Sequence, residues 1–275
     1  MLPSSRLSPA LRVTPIAAFS DNYFWLIDDA SGRAVVVDPG AAEPVLSALQ
    51  QRQWQLAAIL ITHHHADHIG GVAALLQAAP VPVFAPADER IALASVRVHE
   101  GDWLRLEAPA CAFQVWRLPG HTRSHVGYIG HGAAFVGDTL FSVGCGRLFE
   151  GNAAEMLHSL DRLAQLPPTT QVFCAHEYTR DNARFALDWE PDNQELAQLY
   201  ASLCAPGGAQ CSLPSTIQRE LSVNPFLRCR EPALIARVAR CSGMAQPTRL
   251  QVFAKLRQWK NDYRADHARP WQREA

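Results

Sequence analysis

The chain has no CxxC pair. Its seven cysteines, an odd number, are scattered along 275 residues, which argues against a disulfide framework and a cysteine-based zinc site and fits a reducing, cytoplasmic compartment. Long apolar runs are missing too: stretches such as Ala57–Ile61 fall far short of the about 20 residues that cross a bilayer. The opening MLPSSRLSPALRV has no apolar core of the kind a secretory signal needs. It is acid-poor up to Asp21, a stretch very short for a transit peptide. There is no internal repeat, no low-complexity tract and no long polar segment of disordered type. What remains is 48% hydrophobic, enough for one large domain or a medium domain with a smaller one.

Charge is nearly balanced, at a net −1, but unevenly spread. From Arg219 onward there are 12 Lys+Arg against 5 Asp+Glu, a net +7, which leaves −8 on residues 1–218. The basic residues are dispersed along helical patterns, which favours a small anionic ligand over nucleic acid or a membrane surface.

Strand-like runs dominate the first two thirds: Tyr23–Ile27, Ala34–Val37, Ala57–Thr62, Val81–Phe84, Phe113–Leu118, Val126–Ile129, Ala133–Val136 and Gln171–Cys174. Each is short, rich in Val, Ile or aromatics, and bounded by Gly, Pro or Asp. Pro44–Gln51, Val72–Ala78 and Ala153–Leu163 carry helical spacing. After about Thr179 the β signals stop, and Phe185–Leu187, Glu195–Leu203, Pro232–Ala239 and Thr248–Trp259 read as helices, broken by Pro191, Pro206-Gly-Gly208, Pro214 and Asn224-Pro225. The pattern predicts layered α/β with antiparallel pairs over 1–180 and a smaller helical domain over 181–275.

One segment carries most of the chemistry. Ala57–Gly71 reads AAILITHHHADHIGG: an apolar strand, a polar loop, then a Gly-Gly pair and a helix. His63, His65, Asp67 and His68 fall within six residues, and imidazole and carboxylate are the usual nitrogen and oxygen ligands of zinc and its neighbours. In extended chain His63 and His65 share a side and reach one ion, while Asp67 and His68 lie past the turn and reach a second. His64 points away and is structural. Three further apolar strands end in a metal-capable side chain: His121 in LPGHT, Asp138 in FVGDT and His176 in VFCAHE. Each alone reads equally as a turn cap or a satisfied core histidine; with the loop they form a set. Asp38 and His125 read as residues that orient a ligand or support a turn.

Through THHHADHIGG, GHT, GDT and the histidine after VFCA, the sequence resembles the metallo-β-lactamase superfamily, and within it glyoxalase II. The likeness also covers FSDNYFWLI, VVVDPG, GDTLFSVGCGRLFEG, CAHEYT, NPFLR and LRQWKNDYR, essentially the whole chain. It implies an αββα sandwich followed by a helical domain, and hydrolysis of an S-(2-hydroxyacyl)glutathione such as S-D-lactoylglutathione to glutathione and a 2-hydroxy acid. It assigns His63, His65 and His121 to one divalent ion and Asp67, His68 and His176 to another, bridged by Asp138 and the attacking hydroxide. Zinc is the first expectation, with iron or manganese compatible. Glutathione is expected on Arg147, Tyr178, Arg257 and Lys260; spacing alone reads the last two as a solvated helix face. Phe149 stands where the family often has a tyrosine, which removes a hydroxyl contact. A monomer with no nucleic-acid or membrane partner is expected. The rivals are a one-iron glutathione-persulfide dioxygenase, a hydrolase of lactones, phosphodiesters or β-lactams, and a non-catalytic module. The complete set of seven ligands and the cationic C-terminal residues argue against them.

Overall fold

Every residue of Asn22–Asp28 is buried, so this strand is covered on both faces and needs no polar alternation. A computed structural model describes residues 11–205 and 211–263; the N-terminal segment and the Pro206–Gly208 break fall outside them. The chain forms two compact units, Met1–Arg117 with Ser124–Gly137, and Leu118–Arg123 with Asp138–Ala275.

The first unit opens with β1 (Arg12–Ala18), β2 (Asn22–Asp28), β3 (Arg33–Val37), α1 (Glu43–Arg52), β4 (Gln55–Leu60), α2 (Ala66–Ile69), α3 (Val72–Ala78), β5 (Val83–Pro86) and β6 (Val96–Val98). Strands β1 to β6 make a sheet in sequence order, antiparallel from β1 to β3 and parallel from β3 to β6. Parallel neighbours require crossovers, which α1 and the α2–α3 segment supply. Val45 and Leu49 of α1 and Leu75 of α3 share one apolar core with Leu26, Val36, Ile59 and Ile61. Burying each such side chain contributes about 1.5–3 kcal/mol. Then β7 (Trp103–Glu107), β8 (Ala110–Arg117), β9 (Val126–Gly130) and β10 (Ala133–Gly137) form an antiparallel meander.

The second unit holds the β11 (Leu140–Phe141) and β12 (Gly144–Cys145) hairpin, α4 (Ala153–Ala164), β13 (Gln171–Cys174), α5 (Thr179–Trp189), α6 (Gln194–Cys204), β14 (Ser215–Thr216), α7 (Ile217–Val223), α8 (Pro232–Ser242) and α9 (Arg249–Asp262). Local chemistry sets the helix ends. Asn152 with Glu155 caps α4 and Thr248 with Gln251 caps α9, both as reciprocal capping boxes. Gly243 closes α8 at φ 70°. Phe226 packs against Phe185 and Phe253, while Trp189 stacks on Trp259 with centroids 4.4 Å apart. A bidentate ion pair from Arg249 to Asp161 ties α9 to α4.

Several expected elements shift. β4 stops at Leu60 rather than Thr62, because the Thr62 N–H leaves the ladder and donates to the Asp38 carboxylate at 2.7 Å. α5 is far longer than Phe185–Leu187: its first turns, TRDNA, are polar in sequence yet bury Thr179, Asn182 and Ala183. β signals do not end at Thr179, since β14 pairs with β13. α7, capped by Thr216, and the short or irregular strands β1, β6, β7, β11 and β12 had too little apolar pattern to be read.

Candidate active site

The first unit presents its donors on the loop after β4. His63 Nε2 lies 3.0 Å from His65 Nδ1, so the two imidazoles do face one another. Donor atoms of His63 and His68, and of Asp67 and His68, lie within 4.8 Å of each other. Tautomers follow from the partners. Thr62 Oγ1 donates to Asp38 Oδ2 at 2.7 Å and therefore accepts from His63 Nδ1 at 3.1 Å. His68 Nδ1 lies 3.2 Å from the same Asp38 oxygen. Thr62, oriented by that buried carboxylate, thus pins the His63 imidazole and leaves its Nε2 lone pair for a ligand, the usual second layer of a metal site, while the same carboxylate lies beside His68. Asp38 does this from the left-handed region, φ 52°, which aspartate tolerates better than most residues. Close packing fixes the loop: a side chain at Gly40 would overlap the Asp67 carbonyl. Asn22 Nδ2 donates to Asp67 Oδ2 at 3.0 Å. His125 stacks on His63, centroids 4.8 Å apart, and His64 turns to Asp88 at 3.8 Å.

The second unit presents Asp138 between two imidazoles. Its Oδ2 is 3.4 Å from His121 Nε2 and its Oδ1 is 3.4 Å from His176 Nε2. His121 Nδ1 is 2.8 Å from the Arg147 carbonyl, which can only accept, so the proton sits on Nδ1 and Nε2 carries the lone pair that can ligate. Asp138 and His121 also line a cavity of about 450 Å³ whose wall includes Arg147, Tyr178, Arg257 and Lys260. Phe149 lines it too, 63% exposed, with its ring edge-on to His121. Arg257 is not on a solvated face: it is 5% exposed and donates to the Cys145 carbonyl at 2.6 Å. Lys260 donates to the Asp181 carbonyl at 3.2 Å. Burial, then the neighbouring Arg257 and Arg147 charges, push its ammonium down to about 8, against the pull of Asp181.

Donor chemistry fits divalent ions. The His63 Nε2 lone pair faces the His65 ring, and the Asp138 oxygens each face a different imidazole, an arrangement that a cation would satisfy. Asn22, Asn182, Glu220 and Asn224 were not singled out from sequence. FSDNYF and NPFLR contain two of them, but nothing in those segments says which side chains they would meet.

Known proteins agree with this reading. Residues 19–103 and 112–176 match the family model of the metallo-β-lactamase superfamily, and residues 177–263 match that of the hydroxyacylglutathione hydrolase C-terminus. A hydroxyacylglutathione hydrolase of Cupriavidus taiwanensis is 51% identical over 267 residues, 92% of this chain and all of that one. One from Xanthomonas axonopodis pv. citri is 48% identical over 257 residues, 93% of this chain and all of that one. The crystal structure of TTHA1623 in a di-iron-bound form superposes with a TM-score of 0.57 at 28% identity, over 78% of this chain and all of that one. The fold is that of the metallo-β-lactamase superfamily, a mixed α/β architecture here followed by a helical region. Within it, the chain belongs to the hydroxyacylglutathione hydrolases, the glyoxalase II enzymes.

Proposed function

We propose that the protein hydrolyses S-(2-hydroxyacyl)glutathione, S-D-lactoylglutathione first, to glutathione and the 2-hydroxy acid, the second step of methylglyoxal removal. One observation carries the reading. Asp138, whose two oxygens face His121 and His176, lines the same cavity as the cations Arg147, Arg257 and Lys260. A hydrolytic centre thus borders a pocket suited to a ligand with two carboxylates, to which Arg and Lys give charge-assisted hydrogen bonds.

In this reading His63, His65 and His121 would hold one divalent ion and Asp67, His68 and His176 a second, with Asp138 as a further ligand. The donor set suits zinc, and iron or manganese equally well. When bound, such a pair supplies an activated water as nucleophile and a Lewis acid for the developing oxyanion. The chain's residues do the rest. Asp38, through Thr62, holds His63 in the ligating tautomer and lies beside His68. Arg147, Tyr178, Arg257 and Lys260 grip glutathione and fix the thioester toward Asp138. Phe149 covers the outer rim with an apolar ring. Thiolate is a good leaving group, so no dedicated general acid is required. Residues 1–180 form the catalytic domain and 181–275 the helical glutathione-binding domain of a monomeric cytoplasmic enzyme. Among the described residues no helix is long and apolar enough to cross a membrane.

Thiol release from S-D-lactoylglutathione, followed with the metal content of the same sample, tests the proposal. About two ions per chain are expected, and Asp138→Ala should lower turnover by roughly a thousandfold or more. Full activity after rigorous chelation would overturn it.

A further inference from the structure

The β11–β12 hairpin cannot satisfy its own backbone. It pairs only Leu140 with Cys145 and Phe141 with Gly144, yet all of 140–145 is buried. Each polar backbone group left unpaired there costs about 1–3 kcal/mol. Its partners come from side chains of the helical region. One Asn224 Nδ2 hydrogen goes to the Gly144 carbonyl at 3.0 Å and is shared with the Phe141 carbonyl at 3.3 Å, one on each strand. Asn182 Nδ2 donates to the Ser142 carbonyl at 3.0 Å, and Arg257 Nη1 to that of Cys145 at 2.6 Å. The Val143 N–H donates to Glu220 Oε2 at 2.8 Å.

Val143 sits at the tip with φ 57°. A β-branched residue in the left-handed region is strained by about 1–3 kcal/mol and persists only when its surroundings hold it. Glu220 supplies that hold and braces the clamp. It is fully buried and also accepts from Asn224 Nδ2 at 2.9 Å and from the Ser215 hydroxyl. The Asn224 side-chain oxygen accepts the Phe226 N–H at 3.1 Å, which fixes the direction of its amide.

The clamped segment matters because of what flanks it. Asp138 stands just before it, Phe141 and Cys145 line the cavity, and Arg147 follows. Neither Glu220 nor Asn224 lines the cavity. We infer that Asn224, braced by Glu220, is a positioning residue that sets the Phe141–Arg147 wall and thereby the enzyme's grip on the glutathione part of its substrate. The inference rests on the thioesterase reading above.

Asn224→Asp tests it, because the side chain keeps its shape and loses both donors. In metal-loaded, full-length protein the KM for S-D-lactoylglutathione should rise about tenfold with kcat changed less than about threefold. The Kd of glutathione, measured by calorimetry, should weaken in parallel while metal content stays at the wild-type value. In an Arg147→Ala background the same change should add less than about twofold, since it acts through that wall. An unchanged KM and glutathione Kd in folded Asn224→Asp, or full additivity with Arg147→Ala, would overturn the inference. Should that variant fail to fold, Glu220→Gln takes its place, with the same direction expected and an unchanged KM overturning the inference. Wild-type protein that binds glutathione but turns over no thioester would sink the thioesterase reading instead, and a weaker glutathione Kd in Asn224→Asp would still support the clamp.

Discussion

His176 and Tyr178 lie ring on ring, with centroids 4.8 Å apart and planes 5° from parallel. A proposed metal ligand and a cavity wall therefore share one face. Tyr178→Phe keeps the stack and should raise only the KM for the glutathione thioester, by roughly two- to tenfold for one lost hydrogen bond. Tyr178→Ala removes the stack as well and should also lower the metal retained per chain after dialysis. Equal metal retention in both variants would show that the ring does not steady His176.

Asp38 orients His63 through Thr62 and lies against His68. Asp38→Asn should weaken metal affinity by about 10–100-fold, the usual effect of losing the group that orients a ligand. Competition with a chromophoric chelator measures this directly. The loss should exceed that of His125→Ala, which removes the ring stacked on His63.

Lys260 gives a pH signature. Its ammonium, held down to about 8 by burial and the Arg257 and Arg147 charges, is cationic at pH 7 and neutral at pH 9. The KM for the anionic substrate should therefore climb as pH rises through about 8, and Lys260→Arg should flatten that climb. Stability moves the other way. Between about 8 and the ordinary value of 10.5 the unfolded chain binds more protons, so burial of the charged amine destabilises most below pH 8 and the penalty fades as pH rises through that window. A denaturation midpoint that falls across pH 8–10 in wild type more than in Lys260→Met would contradict this assignment.

Phe149 is open to the cavity mouth and brings no hydroxyl. Phe149→Tyr should lower the KM by a few-fold, in line with a net hydrogen bond of about 0.5–1.5 kcal/mol, with kcat little changed. An unchanged KM would mean that the ring position carries no contact to glutathione.

The sequence by itself determined which imidazoles and carboxylates stand at the strand ends, and the helices with clean apolar spacing. His63, His65, Asp67 and His68 stand on one short loop whose geometry is local, and α3 begins and ends where its periodicity does. Caps such as Thr248 with Gln251 are equally local. Tertiary structure decided what depends on distant partners. Val143 and Glu220 are 77 positions apart, and Arg257 and Cys145 are 112 apart. No spacing rule links such pairs, so a residue that looked like a solvated helix charge is buried, and a quiet asparagine holds both strands of a hairpin. Short-range pattern encodes which face is apolar; only the closed fold decides which polar group that face must satisfy.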